Sequence, residues 1–203
     1  MSSDIKILPR SFYESADVTE ASKSLIGKVI CTRIDGVFTS GMITETEAYC
    51  GRNDKACHAN DGLRTSRTEV MYGTPGHAYI YLCYGIHHLF NVVTNREGLA
   101  DAVLIRGIQP LEGTDEMAGR RNKPADKPEL ADGPGKLTQA LGITTGYNGI
   151  DLLGNKIWIE DRGVKFPDVR IFSSSRIGVD YAGEHAKRPW RFYLSGSKWV
   201  SSG

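Results

Sequence analysis

This sequence predicts an α+β fold: a single mixed domain over residues 1–203, with a mostly antiparallel β-sheet core and flanking helices. Three observations lead there. Short stretches rich in β-branched and aromatic residues follow one another between glycine or polar turns, which is how half-buried strands read. Helix signals are few and do not follow every strand, so the regular alternation that builds a parallel sheet is missing. Finally, 203 residues suffice for one well-buried core and leave a second one cramped.

Taken in order, "DVTEASKSLIG" is a helix with its start at Asp17 or Thr19 and its stop at Gly27. "GKVICTRI" and "GMITETEAY" are strands, as are "GHAYIYLCYG" and "LFNVVTN", with Gly85 at a hairpin turn and Tyr84 at its tip. "DAVLIRGI" is a fifth strand. The prolines and charges of "GRRNKPADKPELADGPG", Gly119 to Gly135, read as a long surface loop. "GKLTQALGI" is a short helix between glycines, and "KIWIED", "VRIFSS" and "RFYLSG" complete the strands.

Hydrophobic content of 40% and charged content of 24% are globular values that exclude disordered and fibrous classes. No apolar run approaches the roughly 18 residues of a membrane span. The start "MSSDIKILPRSFY" lacks a signal-peptide pattern. The expectation is a cytoplasmic, nucleoid-associated monomer with no membrane partner. Cys31, Cys50, Cys57 and Cys83 have no paired spacing, which argues for reduced thiols. Cys50, Cys57 and His58 raise the possibility of zinc, but without a second close pair no metal is expected. Net charge is +1, yet Arg162 to Lys198 holds eight Lys/Arg against three Asp/Glu, which permits either a basic footprint or a solvated face.

The chemistry concentrates in "GMITETEAYCGRNDKACH". Strand alternation puts Glu45, Glu47 and Tyr49 on one side and Thr44, Thr46 and Ala48 on the other. Neither is an ordinary core face. A polar cleft explains two carboxylates and a tyrosine together, and an edge strand with its acids in water is the other reading. In "GHAYIYLCYGIHHLFNVV", Tyr79, Tyr81 and Cys83 share one face and Ile80, Leu82 and Tyr84 the other. Such tyrosines serve sheet packing, or line a cleft suited to a flat, π-rich substrate such as a nucleobase.

In order along the chain, "ETEAY", "ACH", "GTPGHAYIYLCYG", "FNVV", "AVLIRGIQPLEG", "GPGKLTQALGI" and "RIGVDYAGEHAKRPWRFYLSGSKWVS" resemble the alkyladenine (3-methyladenine) DNA glycosylase family, in the compact form of its bacterial-type members. The resemblance runs from about Phe12 to Val200. It implies a mixed domain with a protruding β-hairpin, and as partner double-stranded DNA containing damaged purines, with no cofactor. It implies that Glu47 is the general base that activates water, with Arg106 and the backbone of Ile177 holding that water. Tyr49, His58 and Tyr81 then line the pocket and sandwich the flipped base, Asn91 screens out guanine, Tyr84 wedges into the duplex, and Lys136 contacts phosphate at a helix start.

The reaction so implied is removal of 3-methyladenine, hypoxanthine or ethenoadenine. The base must leave the stack at a cost of a few kcal/mol, and general-base catalysis contributes about 10²–10⁴-fold. The "ETEAY" and tyrosine segments contain no lysine for a Schiff base, so a monofunctional enzyme that leaves the abasic site uncut is expected. Two alternatives stay open. Glu45 and Glu47 fit a paired-carboxylate sugar glycosidase, and a damage binder without catalysis would lack only a role for Glu47. "GPGKLT" is no phosphate loop, because Leu130 and Leu137 occupy its glycine and Ser/Thr positions.

Overall fold

Hydrogen-bond pairing around one long strand organises the molecule, whose computed structural model describes residues 6–202. The reading of the amino terminus as free of a signal peptide rests partly on residues 1–5, which lie outside the described residues. The strands are β1 (Lys6–Ile7), β2 (Val29–Ile34), β3 (Val37–Tyr49), β4 (Ala78–Cys83), β5 (His87–Thr94), β6 (Asp101–Glu112), β7 (Ile157–Asp161), β8 (Ile171–Ser174) and β9 (Arg191–Leu194). They form one sheet in the order β1-β7-β2-β3-β6-β5-β4, with β9 joined to the second half of β3 and β8 to β9. The strand pairs are antiparallel, as the absence of βαβ alternation predicts.

β3 is therefore central. Its first half pairs with β2 and its second half with β9, while β6 runs along its other edge. The edge-strand reading of "ETEAY" is corrected here: Thr44 to Glu47 are fully buried. Burial on both faces forces each polar side chain to find a partner. Thr46 does so with the hydroxyl and carbonyl of Ser22, and the two glutamates do so with arginines.

Helix α1 (Arg10–Tyr13) precedes α2 (Val18–Leu25), which starts where the Asp17 carboxylate accepts the backbone N–H groups of Thr19 and Glu20. Its buried Val18, Ala21, Ser22 and Leu25 pack on the core face of the sheet. The predicted loop from Gly119 to Gly135 is corrected at both ends. Gly119–Arg121 finish a helix, α3 (Thr114–Arg121), Pro134 and Gly135 begin another, α4 (Pro134–Leu141), and between them Pro128–Leu130 form a 3₁₀ turn that buries Leu130. α3 buries a single residue, Met117, so no apolar period announces it; it is held by the Arg120 guanidinium donating to the Ala140 carbonyl of α4. Gly135 of α4 lies so close to the hairpin that a Cβ there would come within 2.9 Å of the His87 ring.

β4 and β5 form the expected hairpin, paired out to Cys83 and His87. Both Tyr84 (φ 50°) and Gly85 (φ 72°) adopt left-handed backbone, and the Ile86 N–H donates to the Cys83 carbonyl at 3.1 Å. Type I′ turns use such a pair of positive φ angles. The chain after β9 returns across the sheet, where the Trp199 carbonyl accepts from the Thr44 hydroxyl at 2.5 Å. Among the described residues no helix is long and apolar enough to cross a membrane.

Candidate active site

The second half of β3 points Glu45 and Glu47 toward Arg106 on the neighbouring β6. Arg106 Nε lies 3.0 Å from Glu45 Oε1 and 3.4 Å from Glu47 Oε1. From there the two carboxylates differ. Glu45 also accepts from Arg191 Nε at 2.6 Å, from the Ser201 N–H at 2.7 Å and from the Ser201 hydroxyl at 2.7 Å. It is saturated by structural partners. Glu47 accepts from the Ile177 N–H at 2.8 Å and from the Tyr49 hydroxyl at 2.6 Å. The two donors to Glu47 (Tyr49 and Ile177) and its ion-pair partner Arg106 form part of the wall of a cavity of about 430 Å³, a volume within the range of small-molecule sites.

Burial raises the pKa of Glu47 above its ordinary value, and the Arg106 charge and the Tyr49 and Ile177 hydrogen bonds offset part of that rise. Tyr49 is pushed well up by burial and by the adjacent carboxylate, so it holds its proton as the donor of this pair.

The rest of the cavity comes from the hairpin, from β6 and from two loops. β4 contributes Tyr79 and Tyr81, β5 contributes Asn91, and the loop after β3 contributes His58. His58 meets Tyr81 edge to face, with ring centroids 4.7 Å apart, and its Nδ1 lies 3.0 Å from the Tyr79 hydroxyl. His58 and Tyr81 are thus parts of one wall and not the two faces of a slot. Tyr49, which also lines the cavity, makes no ring contact with either among the described residues. Burial and the nearby Arg67 charge lower the His58 pKa to about 4, so the ring is neutral at physiological pH. Asn91 is buried, and its amide nitrogen donates to the carbonyls of Tyr79 and Leu89 at 3.0 and 3.4 Å, which fixes its position.

Tyr84 reaches the cavity rim from the hairpin tip with 88% of its surface exposed, and Leu82 and Ile86 are exposed beside it. A bulky aromatic in left-handed backbone costs of order 1–3 kcal/mol, so the surrounding fold presents this ring outward against its own preference. Lys136 lies apart from the cavity, in the first turn of α4, with its ammonium 2.7 Å from Asp132.

Three of the eight cations between Arg162 and Lys198 are committed to the fold. Arg176 is buried and holds Asp54 through two contacts of 2.5 and 2.7 Å, Arg191 holds Glu45, and Arg162 pairs with Glu112 and Glu160. Both the footprint and the solvated-face readings therefore shrink to the remaining cations. Arg176 also lies 4.8 Å from the centroid of the Tyr49 ring and donates to the Ala48 carbonyl. It thereby backs Tyr49 and anchors the residue next to Ile177. Sequence reasoning missed Arg176 and Asp54, which pair across 122 residues, and Tyr181, whose hydroxyl donates to the Ala56 carbonyl 125 residues away, because such separations leave no local pattern; it missed Arg67 because the loop that carries it has no period. The four thiols are free. No group of three or more His, Cys, Asp and Glu converges among the described residues.

A family model described as methylpurine-DNA glycosylase matches residues 11–198. Proteins carrying a provisional 3-methyladenine DNA glycosylase name are similar over nearly the whole chain. The one from Methanocella arvoryzae is 46% identical over 96% of this chain and 96% of its own length. Those from Clostridium perfringens strain 13 and Desulfitobacterium hafniense are 45% and 44% identical, covering 96% and 97% of this chain and 98% and 99% of their own.

Proposed function

This chain belongs to the methylpurine-DNA glycosylase family, and from that premise we propose that it rotates 3-methyladenine, hypoxanthine or ethenoadenine out of duplex DNA and hydrolyses the N-glycosidic bond. At the coarser level it is a DNA glycosylase of the 3-methyladenine type, a hydrolase of base excision repair. One observation carries the mechanism: Glu47 is a buried carboxylate whose two donors and whose paired arginine all belong to the cavity wall.

In this reading Glu47 takes a proton from water held with Arg106 and the Ile177 N–H, and its charge stabilises the oxocarbenium-like sugar as the base departs. A raised pKa suits the base role, because proton affinity nearer the working pH strengthens it. Tyr49 lies against one side of the extruded base and the His58–Tyr81 wall against the other. The fixed Asn91 gives no room to the 2-amino group of guanine. Tyr84 fills the gap left in the stack, offsetting unstacking by about 1–3 kcal/mol. Lys136 reaches a phosphate by exchanging its Asp132 partner.

None of the residues lining the cavity is a lysine, which supports hydrolysis without strand cutting, since a lyase needs an amine nucleophile. The paired-carboxylate alternative loses its second acid, because Glu45 is saturated by Arg106, Arg191 and Ser201.

The test is release of hypoxanthine or alkylated adenine from duplex oligonucleotides by the purified protein, with strand breaks only after alkali. Direct cutting overturns the monofunctional assignment. Glu47→Gln is expected to slow excision by about 10²–10⁴-fold while lesion binding persists; undiminished turnover assigns the base elsewhere.

A further inference from the structure

Arg67, from the loop between β3 and β4, has no role in the reaction as described. Its Nη2 donates to His58 Nε2 at 3.2 Å, and its guanidinium carbon lies 4.8 Å from the centroid of the Tyr81 ring. It is one of the residues lining the cavity. A guanidinium only donates, so His58 Nε2 accepts and Nδ1 carries the hydrogen toward the Tyr79 hydroxyl. The wall of His58, Tyr79 and Tyr81 is thus neutral, with one permanent cation on it.

That cation is uncompensated. Glu45, Glu47 and Asp54 are balanced by Arg106, Arg191 and Arg176. Arg67 has no carboxylate within ion-pair distance among the described residues, and it already occupies one face of Tyr81, the ring that would otherwise attract a positive base. We infer that Arg67 sets the charge preference of the cavity, so that uncharged extruded purines are held more tightly than purines made cationic by alkylation at a ring nitrogen.

This inference rests on the glycosylase reading and deepens it by naming a substrate class. The repulsion acts on capture, because cleavage moves positive charge from the base to the sugar. For charges about one ring apart, with screening between that of water and that of a half-buried site, the discrimination amounts to about 3- to 30-fold.

The test uses Glu47→Gln, which keeps complexes uncleaved, alone and combined with Arg67→Gln or Arg67→Lys. Dissociation constants are measured for duplexes carrying one hypoxanthine, which is neutral, or one 3-methyladenine, which is cationic; neither has the 2-amino group that Asn91 screens. Arg67→Gln is expected to tighten 3-methyladenine relative to hypoxanthine by about 3- to 30-fold, and Arg67→Lys to keep the original ratio. An unchanged ratio in Arg67→Gln overturns the proposal, including equal weakening of both duplexes, which would assign Arg67 to the phosphate backbone. Failure of the glycosylase reading shows separately, as no base released from either duplex by the unsubstituted protein. Arg67 is exposed, and unchanged thermal unfolding of its variants checks that they fold.

Discussion

Glu45 and Glu47 are the same residue type two positions apart, and their partners separate their roles. Glu45 accepts from Arg191 and Ser201, which do not line the cavity, as well as from Arg106, whereas the donors to Glu47, Tyr49 and Ile177, both belong to the cavity wall. The proposed base must be ionised, so activity is lost as pH falls through the pKa of Glu47. Burial places that pKa above the ordinary glutamate value of about 4.3. His58, at about 4, adds no inflection between pH 5 and 8. Single-turnover excision of 3-methyladenine, whose departure needs no added proton, is expected to show one acid limb above about pH 4.3. A limb at or below pH 4, or faster reaction on acidification, contradicts the base assignment.

The β4–β5 hairpin does two jobs at once. Its root supplies Tyr79, Tyr81 and Asn91 to the cavity, and its tip holds Tyr84 out into solvent in left-handed backbone. Tyr84→Gly separates the two. Glycine adopts the positive φ without strain, so the unfolding temperature is expected to stay level or rise. Capture of lesion duplex is expected to weaken by about 5- to 150-fold, the worth of one stacked ring. Unfolding scans and binding isotherms on the same preparation check both, and unchanged binding removes the wedge role.

Across the whole molecule, the site is locked from behind by the chain's last turn over the sheet. Trp199 passes Gly107 of β6 so closely that a Cβ there would sit 2.5 Å from its carbonyl oxygen, and two residues later Ser201 closes over Glu45. Gly107→Ala should push this segment away, lowering stability by about 1–3 kcal/mol as overpacking does. It should also slow excision by loosening Glu45 and, through Arg106, Glu47. Denaturant unfolding and single-turnover rates check the coupling; a stability loss with unchanged chemistry shows that the lock is structural only.

Sequence alone determined the strands other than β1 and their antiparallel character, the helix capped by Asp17, the hairpin with Tyr84 at its tip, and the family, because local periodicity, turn residues and motif order are properties of short stretches. It also marked Glu45, Glu47 and Tyr49 as chemically unusual, since two carboxylates fit neither face of an ordinary core strand. It left open whether that strand lay at an edge or in the middle, gave Glu47 the base role only through the family resemblance, and did not say how the partners of the two glutamates differ. Only the tertiary structure decided those points, because the partners of Glu45 lie 61, 146 and 156 residues away. The same holds for α3, which rests on contacts with α4, and for Arg67 and Arg176, whose positions over Tyr81 and Tyr49 come from loops that carry no period of their own. Long-range ion pairs and ring contacts are set by how the sheet brings distant segments together, and nothing in a local stretch of sequence records that.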